Sequence, residues 1–72
     1  MNRYQLRKAR AIAGVLVLAA AKMPFPVPMT MLPQLAARMT HEQWVSVSLA
    51  AGVPVADHAA KVLTVALLSN LT

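Results

Sequence analysis

The stretch RKARAIAGVLVLAAAK, residues 7–22, decides how this chain is read: it has a basic head, eleven apolar residues and a closing lysine. Leu6, Ala9, Ala13, Leu16 and Ala20 recur at spacings of three and four, the periodicity of one helix face. Arg3, Arg7 and Arg10 fall on the opposite face, with Lys8 at its edge. The spacing therefore predicts a helix over residues 3–22. Gly14 inside it costs about 1 kcal/mol against alanine. Val15 and Leu18 lie on the basic side, so the second half is apolar all round and is expected to be buried.

The basic start, the apolar run and Ala19-Ala20-Ala21 also match an export signal. Removing that segment would leave about fifty residues with no staple, a size at which one core is hard to stabilise. The segment is therefore expected to stay as part of the fold. A bilayer crossing needs about twenty mostly apolar residues. Arg10 and Lys22 bracket eleven, prolines follow, and Gly52 and Pro54 interrupt the uncharged run that starts at Gln43. An interfacial helix, with its cationic edge on anionic lipid, is the membrane alternative that survives.

Prolines 24, 26 and 28 make residues 23–28 a stiff, Pro-rich connector. A second helix is expected over 30–39, with Thr30 as N-cap, Pro33 in its first turn and Leu32, Leu35, Ala36 and Met39 as its apolar stripe. Thr40 and Gln43 have the spacing of a capping box, and Gly52 followed by Pro54 is a stop, so a third helix is expected over 41–51. WVSVSL also alternates with period two, which makes a strand the rival there. A fourth helix is expected over 55–69, burying Ala56, Ala59, Ala60, Leu63, Ala66 and Leu67, with Asp57 and Lys61 paired on its other side. The fold expected is all-α: a single small domain, residues 1–72, built as a compact bundle of about four short helices.

Of the 72 residues, 58% are hydrophobic and none is cysteine. A chain this short and apolar is expected to bury surface against a second copy, a larger protein or lipid. The net charge is +5, and no acid precedes Glu42. Cations in the first turn of a helix oppose its macrodipole, which an external anion would relieve. Arg3, Arg7, Lys8 and Arg10 are therefore the candidate contacts to an anionic partner. Phe25, Met29 and Met31 along the stiff connector, and Trp44, the only tryptophan, are the candidate apolar contacts. Trp44 shares a helix face with Val47 and Ala51, which equally suits a core.

Helices three and four, joined by GVPV, have the layout of a helix-turn-helix, yet Val55, Ala56, Ala59 and Ala60 offer no donors to base edges. The methionines with His41 sketch a soft metal site, but methionine is far more often a gap-filler. His41, His58 and the serines at 46, 48 and 69 lack the nucleophile, base and orienter spacing of a hydrolase. No catalytic, cofactor or metal residue is expected, and no small-molecule substrate. The expected function is a non-enzymatic basic regulatory or adaptor protein, an inhibitor among the roles it suits. It would dock on a larger protein or a protein–nucleic acid assembly in the cytoplasm. The alternatives are a membrane-associated subunit and a binder of the nucleic-acid backbone.

Overall fold

The computed structural model describes residues 3–54 and 57–71, and every regular element among them is helical. Helix α1 runs Arg3–Ala21, a 3₁₀ turn Met29–Met31 leads into α2 (Leu32–Ala37), and α3 (His41–Ala50) and α4 (His58–Asn70) follow. α4 is the centre of the arrangement. Both α1 and α2 pack chiefly against it, and α3 packs against α1.

Local chemistry sets most of the boundaries. Thr40 accepts from the Gln43 backbone N–H at 3.2 Å, and the Gln43 side chain accepts from the Thr40 N–H at 2.9 Å, which closes the capping box. The far end of α3 is a Schellman motif, with Val53 N–H on Ser48 O at 2.8 Å and Gly52 N–H on Leu49 O at 3.0 Å. It turns on Gly52, whose φ is 75°, a region that L side chains avoid. Residues 41–50 are therefore helix and not strand. The N-cap expected at Thr30 is not used. The Pro28 carbonyl, held extended at ψ 135°, accepts from Met31 N–H at 3.0 Å and starts the 3₁₀ turn, and Thr30 lies inside that turn. α4 begins at His58 because Asp57 caps it, accepting from Ala60 N–H at 3.0 Å. The expected start at Val55 and the expected burial of Ala56 lie outside the described residues.

Two small cores meet at α1. Ile12 joins Trp44, Val53 and Ala60 on one side, and Ala13 joins Leu32, Ala36 and Leu68 on the other, with Leu16 packed against both. Alanines at 9, 13, 36 and 60 are buried, which lets the helix axes approach closely.

The buried stripe of α4 is Ala60, Thr64 and Leu68, which shares only Ala60 with the face the pattern predicts. It is turned by about one residue, or roughly 100° at 3.6 residues per turn, so that Ala59 and Ala66 are exposed and Leu63 and Leu67 half-buried. Thr64 accepts full burial because its hydroxyl donates to Ala60 O at 2.8 Å. The Asp57–Lys61 pair does not form, since the Lys61 ammonium donates to Met39 O at 3.1 Å. The second half of α1 is not buried all round either. Leu18 is 61% exposed, because α3 and α4 leave that face uncovered.

The two glycines give opposite expectations. A Cβ at Gly14 meets open space in a helix interior, so Gly14→Ala should stabilise by about 0.5–1 kcal/mol. Gly52→Ala forces a side chain into the left-handed region and should cost about 1–2 kcal/mol. Urea unfolding followed by circular dichroism reads both, and equal signs would contradict the assigned helix end.

Candidate functional site

Arg3, Arg7 and Arg10 are exposed on α1, along about 10 Å of its axis at 1.5 Å per residue. Among the described residues no hydrogen bond or ion pair holds any of the three. Lys8 differs from them. It is half-buried, and its ammonium lies 4.3 Å from the centre of the Tyr4 ring. Arg7, Lys8 and Tyr4 line one wall of a cleft of about 380 Å³ whose other wall is the end of α3, Ala51 to Pro54. The negative end of the α3 dipole therefore faces these cations.

The base of this cationic end is tied down by Asp57. Gln5 Nε2 donates to Asp57 Oδ2 at 2.9 Å, joining the start of α1 to the start of α4. Gln5 Oε1 is shielded from solvent and unpaired. The Ala60 backbone N–H, then the Gln5 amide, hold the Asp57 carboxyl below its usual value of 3.8 against an opposing effect of desolvation, and the charge of Lys8 adds a lesser pull in the same direction.

At the other end of α1 lies an apolar groove of about 690 Å³. Leu16, Ala20 and Met23 form one wall and Met31, Leu35 and Met39 the other, with Leu32 and Ala36 beneath and the proline connector closing one end. Gln43 is its one polar lining residue. A smaller hollow of about 440 Å³ opens behind the connector, between Val17, Phe25 and Met29. The groove exists because α1 and α2 both rest on α4 and diverge above it.

Of the candidate apolar contacts, Phe25, Met29 and Met31 are exposed and line these two hollows. Trp44 is buried in the core with Ile12 and Ala60, so it presents no docking surface in this fold. The pattern placed Leu35 in a buried stripe, yet it is 48% exposed on the groove wall. Neither Met23 nor Leu35 is among the apolar contacts expected from the sequence. The available signal was the number of large apolar residues, Met23 to Met39, around a connector that cannot fold back over them. His41 and His58 are exposed on separate helices, and no group of three His, Cys, Asp or Glu among the described residues is placed to hold a metal ion. Among the described residues no helix is long and apolar enough to cross a membrane.

No family model matches this sequence, and comparisons with curated proteins and with solved structures give no significant match.

The lowered Asp57 carboxyl predicts how stability depends on acid. A folded-state pKa below the unfolded value contributes stability that is complete above the unfolded pKa and is lost as pH falls through the folded one. Asp57→Asn keeps a capping oxygen that does not titrate. Thermal melts should show wild type above this variant near neutral pH, with the gap closing as pH falls below 3.8. A gap independent of pH would show that the charge of Asp57 contributes nothing.

Proposed function

We propose that this chain is a non-enzymatic basic adaptor or regulatory module that docks on a larger anionic macromolecule, a protein or a protein–nucleic acid assembly. One observation carries the proposal: Arg3, Arg7 and Arg10 share an exposed helix face with no carboxylate against them, while Asp57 and Lys61 are engaged within the fold. The apolar part of the contact falls to Phe25, Met29 and Met31. Arg7 and Met23 are about 24 Å apart along the helix axis and its exit. A partner that touches both ends is therefore macromolecular and not a small ligand. The setting proposed is the cytoplasm.

A second proposal, association with an anionic lipid surface, draws on Leu18, which lies exposed on the same helix stripe as Arg7 and between it and Lys22.

Purification of the tagged chain from its native cells, with and without nuclease, separates these. The adaptor proposal expects one partner in fixed ratio that survives nuclease and is retained by the triple Arg3/Arg7/Arg10→Lys variant. The triple change to Glu should weaken it at least about tenfold, at roughly 0.5 kcal/mol for each exposed contact. Loss on nuclease treatment would favour direct contact with the nucleic-acid backbone. Co-sedimentation with anionic but not zwitterionic vesicles would favour lipid. Undiminished recovery by the Glu variant would overturn the electrostatic basis altogether.

A further inference from the structure

We infer that the groove between α1 and α2 is a self-association site, filled by α3 of a second copy of this chain. The inference uses a different surface from the cationic face, and its test is read separately.

The first support is area. The radius of gyration is 11.3 Å, close to the roughly 11 Å of a compact chain of this length. The accessible surface is 4950 Å², against about 4300 Å² for a folded monomer of this mass. The excess, some 600 Å² over the whole surface, approaches the roughly 800 Å² that one partner contributes to a standard interface.

The second support is shape. The groove is walled by Leu16 to Ala20 on α1 with Met23 just past its end, and by the six residues of α2, Leu32–Ala37, with Met31 before them and Met39 after, a length of about 8–9 Å along α2. A helix that seats there needs apolar anchors at i and i+4. Outside the groove, Val45 and Leu49 are the one such pair of exposed large apolar side chains among the described residues, at 40% and 58%. They lie one turn apart, about 6 Å, so the pair fits within the groove while the rest of the 10-residue helix extends past it.

The third support is charge. Lys22 and Arg38 are exposed and flank the groove walls in sequence, and Glu42 lies in the first turn of α3 on the same side as Val45 and Leu49. An acid therefore arrives with the inserted helix where the receiving walls carry cations. In a twofold dimer each copy gives α3 and receives α3, and both grooves close. Met31 and Leu35 are then covered, so in the dimer the apolar contact with the larger partner narrows from Phe25, Met29 and Met31 to Phe25 and Met29.

Sedimentation equilibrium tests this on the whole chain. Wild type should run at about twice its 7.7 kDa mass. Leu35→Glu and Leu49→Glu, changed at exposed positions on the two complementary surfaces, should each weaken dimerisation at least tenfold while keeping helical circular dichroism. Leu18→Glu should leave it unchanged. The chain has no cysteine, so introduced thiols under a mild added oxidant give a second readout that places no charge on the surfaces. Leu35→Cys mixed with Leu49→Cys should give an oxidised cross-linked pair, and neither alone should do so. A monomer at millimolar concentration, a dimer that survives both Glu variants, or a dimer lost through Leu18→Glu would overturn the inference. Binding of an anionic partner by the monomeric Leu35→Glu variant would leave the docking proposal standing by itself.

Discussion

Everything in this fold hangs on the narrow stripe of α4 formed by Ala60, Thr64 and Leu68. These three side chains are almost completely buried. Leu68 meets Ala13, Leu32 and Ala36, and Ala60 meets Ile12 and Trp44, so one helix serves both cores. A chain of this size draws only about 3–5 kcal/mol from a single core. Truncating one buried leucine typically costs about 2–5 kcal/mol, so Leu68 by itself decides whether α2 stays attached. Because α1 and α2 both rest on α4, and α3 covers only part of α1, the faces of α1 and α2 that border the groove are left open among the described residues.

That geometry divides the molecule into two ends with different chemistry. Near the start of α1 the chain is polar and tied, through Gln5, Asp57, Lys8 and Tyr4. Its three arginines stand outside that network. Near the end of α1 the chain is apolar and open. The prolines at 24, 26 and 28 prevent the connector from collapsing into the groove, because each removes a donor and fixes a backbone angle. The same stiffness that shapes the connector keeps Phe25 and Met29 outside.

The helix ends were legible in the sequence because caps are local chemistry. Thr40 with Gln43, and Gly52, specify their positions within a few residues and need nothing from elsewhere. The faces were less legible. Thr64 is polar by pattern yet buried, since a hydroxyl that bonds to its own helix carries no open demand for water. Leu18 and Leu35 are apolar by pattern yet exposed. Periodicity shows that a stripe seeks cover, and only the packing of the other helices shows which stripes the chain itself covers. Arg3, Arg7 and Arg10 were placed correctly on an exposed face by charge and spacing, whereas Trp44 went to the core along with Val47 and Ala51, its neighbours in the pattern.

The fold leaves the α1–α2 groove open to a helix from outside the chain, and the occupant inferred for it is α3 of a second copy. An isotope-filtered NOE measurement on an equal mixture of labelled and unlabelled chains addresses it directly. The account predicts contacts between copies from the Val45 and Leu49 methyls to Met31, Leu35 and Met39. Contacts between copies that instead involve Leu18, or none at all at millimolar concentration, would contradict it.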